Sequence, residues 1–218
     1  VNLDLLRARL RAPIPAPHTA LQPALTMGEP PSIGLPVASS DGQDLVDDKL
    51  VPAAVLVPLV LGVQPGVLLT KRTSHLAKHP GQVSFPGGRI DPDDSGPEHA
   101  ALREAQEEVG LAPHHVELVG RLGDYVTGTG YRVTPVLGLL PEGRDVDALD
   151  LVPSPHEVEA VFVLPLTVVL DPAAPQRRRA YFRGAWREFW VWPHTDHYIW
   201  GATAAMLVHL AHRLRTGG

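Results

Sequence analysis

Arg103-Glu104-Ala105-Gln106-Glu107-Glu108-Val109-Gly110-Leu111 is the stretch on which the reading of this chain turns. Its glutamates fall at i, i+3 and i+4, so on a helix all three share one face. Like charges at this spacing cost roughly 0.2–0.5 kcal/mol per pair, and a hard divalent cation reverses the sign of that interaction. Magnesium takes oxygen ligands, keeps several waters and binds through one or two carboxylates plus substrate phosphates. The competing reading is a solvated acidic face on which Arg103 pairs with Glu107. The helix itself is well bracketed, from about Gly96 to Val109. Pro97 suits its first turn, Glu98 its positive end and Gly110 its stop, while Ala101, Leu102, Ala105 and Val109 supply an apolar stripe.

Immediately upstream lies Gly87-Gly88-Arg89-Ile90-Asp91-Pro92-Asp93-Asp94. Adjacent glycines allow close approach of backbone to a ligand. Asp91 to Gly96 imitates the start of a calcium loop, but the twelfth position is Leu102 instead of glutamate, and Pro92 and Pro97 suit that loop poorly. From Gly88 to Leu111 the chain resembles the Nudix box: a glycine, a spaced acid, then Arg-Glu-apolar-X-Glu-Glu-X-Gly-apolar. Asp94 stands where glutamate is commonest, and the spacer to Arg103 is one residue longer. The resemblance implies an α/β fold, a Nudix-type α/β/α sandwich with a mixed, partly antiparallel sheet. It implies a pyrophosphohydrolase in which Glu104, Glu107 and Glu108 hold Mg2+ or Mn2+ and Arg103 orients them by a salt bridge.

Further upstream, Leu68-Leu69-Thr70-Lys71-Arg72 and Gly81-Gln82-Val83-Ser84-Phe85-Pro86-Gly87-Gly88 look like the additional signature of the coenzyme A pyrophosphatase subgroup. That subgroup shares the aspartate and the longer spacer, and Ile199-Trp200-Gly201-Ala202-Thr203-Ala204 resembles its last helix. The similarity runs from about Pro52 to Leu210. Thr73 departs from the usual Ser or Ala, and Ala77 from the usual Arg, with Lys78 adjacent to supply a charge. The implied reaction converts coenzyme A, or a thioester or oxidised form, to adenosine 3′,5′-bisphosphate and a 4′-phosphopantetheine. The alternatives are hydrolysis of another nucleoside diphosphate derivative, such as ADP-ribose or NADH, and a nucleotide-binding module without turnover. Arg72, Arg89, Lys78, Gly87 and Gly88 are the expected substrate-binding residues, with Arg72 and then Arg89 favoured for the 3′-phosphate. Glu104, Glu157 and Glu159 are candidates for the general base, with Glu157 preferred.

The rest of the sequence sets bounds. The chain has 218 residues, 44% hydrophobic, a net charge of −5 and no cysteine. It supports a packed core, excludes disulfide and thiolate chemistry, and lacks a global field for nucleic acid or acidic membranes. Val51 to Leu69 is apolar enough to raise a membrane span, but its prolines and the Gln64-Pro65-Gly66 turn favour a hairpin. A cytoplasmic location is expected, and a homodimer is left open. Residues 1–50 read as a short helix, Asn2–Leu10, and an extended arm over Ala12–Asp48; residues 51–218 read as the hydrolase domain. Strands are expected at Ala53–Leu61, Val67–Arg72, Val116–Val126, Tyr131–Leu140, Ala160–Leu164, Arg178–Phe182 and Glu188–Trp192, with a last helix over His197–Leu214. Arg177-Arg178-Arg179 reads as a solvated turn, the late tryptophans Trp186, Trp190, Trp192 and Trp200 as core with adenine stacking as the alternative, and the histidines as ordinary residues without a zinc pattern. His79 is the histidine to test for substrate contact. Ser84 lacks a nucleophile elbow.

Overall fold

The computed structural model describes residues 3–11, 50–75, 79–141, 146–182, 185–192 and 194–216. The expected arm over Ala12–Asp48 lies outside them, as do Ala77 and Lys78.

Strand β1 (Val51–Val60) is the spine. Its period-2 alternation sends Ala54, Leu56 and Val60 to one face and Ala53, Val57 and Leu59 to the other, and all are buried. It pairs in parallel with β7 (Tyr131–Leu139) and antiparallel with β2 (Gly66–Arg72) through the turn after Val60. Further antiparallel strands complete an eight-stranded sheet: β3 (Val83–Ser84) and β8 (Val158–Pro165) on β2, β4 (Gly87–Arg89) on β1, and β5 (Glu117–Arg121) and β6 (Tyr125–Val126) on β7. The apolar Val51–Leu69 segment is thus two core strands. Among the described residues no helix is long and apolar enough to cross a membrane.

Each sheet face is covered. Helix α2 (Pro97–Val109) lays Ala100, Ala101, Ala105 and Val109 on the Leu56 face. On the other face lie α1 (Leu3–Arg11), α4 (Gly201–Thr216) and, beside β8, the short α3 (Leu166–Val169). α1 inserts Leu6 and Leu10 into this core. Its backbone is tied to α4, since Arg213 Nη2 donates to Leu10 O at 2.6 Å and Arg9 Nη1 to Leu214 O at 2.5 Å. The fold is therefore α/β with a mixed sheet between helices, as the sequence implies.

A second, three-stranded sheet joins β9 (Gln176–Phe182), β10 (Ala185–Trp192) and β11 (Ile199–Trp200). Several expectations are corrected by the structure. The last helix starts at Gly201 instead of His197, because Ile199 and Trp200 are captured by pairing with Trp192 and Val191. Arg177, Arg178 and Arg179 belong to a strand, not a turn, and Arg177 and Arg179 lie over the rings of Trp190 and Trp186. The expected strand Val116–Val126 is two strands, β5 and β6, separated at 122–124. Trp192 is the fully buried tryptophan, its Nε1 donating to Ala204 O at 3.0 Å, whereas Trp186 is exposed.

Candidate active site

Arg103 is the hub of the carboxylate face of α2. Its Nε and Nη2 donate to Asp94 at 3.1 and 3.0 Å, its Nη1 to Glu104 at 3.0 Å and to Glu107 at 3.2 Å, and its Nη2 also to the Arg89 carbonyl at 3.1 Å. Asp94 additionally accepts from the Asp91 N–H at 2.8 Å and pairs with the His99 ring at 2.7 Å. The Arg103 hydrogen bonds hold the Asp94 carboxyl well below its ordinary range. The bidentate fork fixes the guanidinium plane, and that plane in turn aims Glu104 and Glu107. Asp94 was not among the expected site residues; its position in the box is the signal that points to it.

Glu108 faces the opposite way, into the sheet, and is buried. One oxygen accepts from the Gly87 N–H at 3.2 Å and the other from Arg72 Nη1 at 3.3 Å. Burial pushes its carboxyl up to about 7, with the Gly87 N–H and Arg72 opposing and the charges of Glu157 and Glu104 adding. Glu104 is also raised, by burial first, against Arg103 and with help from Glu107 and Glu157. The two glycines make this packing possible. A Cβ on Gly87 would stand 2.4 Å from Ala54 O, and one on Gly88 would stand 2.4 Å from Glu104 Oε1. Their close approach is thus to β1 and to the acidic side chains, as well as to the cleft they line.

Glu157 reaches the same region by a backbone route. The last carbonyls of an α-helix lack partners within the helix. Gly110 ends α2 at φ 73°, a left-handed turn that suits glycine. The carbonyls of Val109 and Glu108 accept from the N–H groups of Val152 and Ser154 at 3.0 and 2.8 Å. The turn that follows is held by Thr73, whose N–H donates to Glu157 O at 2.9 Å and whose Oγ1 donates to His156 O at 3.2 Å. Thr73, a departure from the usual Ser or Ala, is therefore a buried tether for the Glu157 turn.

Carboxylates that raise one another's pKa fit a cation. Glu104 and Glu108, with Glu107 at the rim and Glu157 nearby, form an oxygen donor set suited to Mg2+ or Mn2+. Among the described residues no three acidic or histidine side chains already converge at ligating spacing. Glu104 and Glu107 pair with Arg103, and Glu108 pairs with Arg72.

Beside this cluster opens a cleft of about 610 Å³, within the size range of small-molecule sites. Its lining includes Arg72, Gly87, Gly88 and Arg89 from the main sheet, and Arg187, Trp200 and Met206 from β10, β11 and α4. Arg89 Nη2 donates to the Tyr131 hydroxyl at 3.2 Å, and both residues line the cleft. His79 lines it as well, with φ 55°. Lys78 lies outside the described residues. Glu159 pairs with Lys71 at 2.7 Å. Trp200, for which adenine stacking is the alternative to core, lines the cleft; Tyr131 and Met206 are not singled out by the sequence, because their places depend on how distant elements pack.

Comparison with known proteins bears on the same residues. The NUDIX domain profile matches residues 50–184. A protein of Enterobacter sp. (strain 638), described as "Uncharacterized Nudix hydrolase NudL", is 44% identical over 159 residues, covering 73% of this chain and 80% of the relative. Its namesake in Escherichia coli (strain K12) is 43% identical over 159 residues with the same coverage. A solved Ap4A hydrolase binary complex from C. elegans is 23% identical, covering 53% of this chain and 80% of that one, with a TM-score of 0.43. With a matched domain profile and relatives this similar over most of their length, the chain belongs to the Nudix hydrolase family.

Proposed function

We propose that this Nudix hydrolase cleaves the diphosphate of coenzyme A, or of a thioester or oxidised form of it, to adenosine 3′,5′-bisphosphate and a 4′-phosphopantetheine. Nudix hydrolases generally use divalent ions such as Mg2+ or Mn2+. Glu104, Glu107 and Glu108 are the residues that would hold the ion here. The observation that carries the proposal is the composition of the cleft. Arg72 and Arg89 line it beside the acidic cluster, and apolar Phe85, Trp200 and Met206 line it as well. A nucleotide diphosphate that also carries uncharged and apolar parts suits such a mixed lining. The upstream signature from Leu68 to Gly88 supports the same substrate.

In this reading a water oxygen attacks one phosphorus of the diphosphate. A new P–O bond forms, the bridging P–O bond breaks, and the bridging oxygen leaves on the other phosphate. When bound, the ion would offset the charge on the phosphate oxygens. Arg103, anchored on Asp94, orients Glu104 and Glu107, which would hold it; the Gly87 N–H and Arg72 orient Glu108. Glu157 takes the proton of the attacking water, a role its placement beside Glu104 and Glu108 supports. Arg72 contributes positive charge next to the diphosphate.

The test is a substrate panel with each metal, its products resolved by chromatography: coenzyme A, dephospho-coenzyme A, ADP-ribose, NADH and a nucleoside triphosphate. Metal-dependent release of adenosine 3′,5′-bisphosphate from coenzyme A is expected. Turnover confined to ADP-ribose or NADH would overturn the substrate while leaving the hydrolase standing.

A further inference from the structure

Arg187, Trp200 and Met206 in the cleft lining come from the chain after residue 184, where the family match ends, and from elements other than the helix that carries the acidic cluster. Strand alternation decides what this part of the lining presents. On β10, Phe189 and Val191 are buried on one face, while Trp186 and Trp190 on the other face lie under Arg179 and Arg177. Arg187 shares the face of Phe189 and Val191 and lines the cleft where that face emerges from the core. Thr203 Oγ1 on α4 donates to Val83 O on β3 at 3.0 Å. The part of the lining supplied by α4 is thus tied to the strand that precedes the glycine pair.

Charge bookkeeping in the cleft is one-sided. The chain as a whole carries a net charge of −5. Among its described lining residues, however, the cleft has Arg72, Arg89 and Arg187 and neither aspartate nor glutamate. Arg72 is engaged with Glu108, at the acidic cluster. A diphosphate linkage carries two negative charges, and a divalent ion together with Arg72 balances them. Arg187 adds a further cation to the lining, from a separate element, β10. A guanidinium in such a position suits a phosphate monoester, which it can grip with two parallel hydrogen bonds.

We infer that Arg187 is the specificity residue for a second phosphate on the substrate, a monoester on the nucleoside ribose remote from the diphosphate that is cut. This rests on the reading of the substrate as a ribose-phosphorylated nucleotide diphosphate. It assigns the recognition to the C-terminal sheet, in place of Arg72.

The experiment compares kcat/KM for coenzyme A and dephospho-coenzyme A, with Mg2+, in the wild type, Arg187→Met and Arg187→Lys. Loss of a hydrogen-bonded charged partner should lower kcat/KM for coenzyme A on the order of 10- to 100-fold, mainly through KM. Dephospho-coenzyme A should be cut as before, which also certifies that the variant is folded. Arg187→Lys should recover part of the loss. An equal loss on both substrates, or none on either, overturns the assignment. If the wild type cuts neither substrate, the proposed substrate falls. Calorimetric binding of adenosine 3′,5′-bisphosphate and of adenosine 5′-monophosphate then judges Arg187 separately. A preference for the bisphosphate that Arg187→Met abolishes supports it, and a preference that survives, or equal binding in the wild type, overturns it.

Discussion

Glu108→Gln replaces a buried titrating group with a neutral amide of nearly the same shape, and its effect on stability should depend on pH in a calculable way. Burial lifts the Glu108 carboxyl from 4.5 to about 7 in the folded protein. Because the folded state keeps the proton longer than the unfolded chain, the stabilisation is fully present below the unfolded value. It is lost as pH rises through the folded one. At 1.36 kcal/mol per pKa unit, the span from 4.5 to about 7 corresponds to roughly 3 kcal/mol. Metal-free wild type should therefore lose about 3 kcal/mol relative to Glu108→Gln between about pH 4.5 and about pH 8. Urea unfolding followed by tryptophan fluorescence, in chelator and at stepped pH, reads the difference directly. Millimolar Mg2+ at the alkaline end should restore the wild type and leave the variant almost unchanged. A difference that stays flat across the range would refute the argument that Glu108 is a buried carboxylate lacking its ion.

Gly88→Ala should push its new Cβ against the Glu104 carboxylate, since that contact would be 2.4 Å. The obstacle is the far end of a side chain, so stability should change by about 1 kcal/mol or less, whereas kcat should fall on the order of 10- to 100-fold; steady-state kinetics and a thermal melt separate the two. Glu157→Gln should lower kcat by about 10²- to 10⁴-fold with KM nearly unchanged, the range for loss of a general base. A pH–rate profile that keeps its acidic limb in that variant would contradict the role.

How much of this was legible beforehand follows the length scale of the interactions. Pro97 and Gly110 bracket α2 because proline and glycine act locally, and the alternation of Ala53 to Val60 reports a strand buried on both faces. The i, i+3, i+4 glutamates could be grouped on one helix, yet their different fates could not. Glu108 is buried and Glu107 exposed only because the sheet covers one side of that face. Strands β3 and β4 are two and three residues long, too short to show a period. Asp94 is marked out by its place in the box, but its contact with the Arg103 fork emerges only on folding. Ile199 and Trp200 look helical in isolation and become a strand through pairing with Val191 and Trp192. Glu157 arrives beside α2 through backbone bonds to the helix's last carbonyls, and such bonds leave no mark on side-chain pattern. Arg187 faces the cleft because of the register of β10, which no local motif encodes.

In the proposed mechanism, the acidic face of α2 seats the divalent ion that diphosphate hydrolysis needs. A titration of Mn2+ against the protein, followed by loss of the free-ion electron paramagnetic resonance signal, tests it most directly when run on the wild type, Glu104→Gln and Glu108→Gln. The account predicts saturable binding in the wild type that weakens by at least about tenfold in each variant, in step with the loss of turnover. Unchanged Mn2+ affinity in both variants would contradict it.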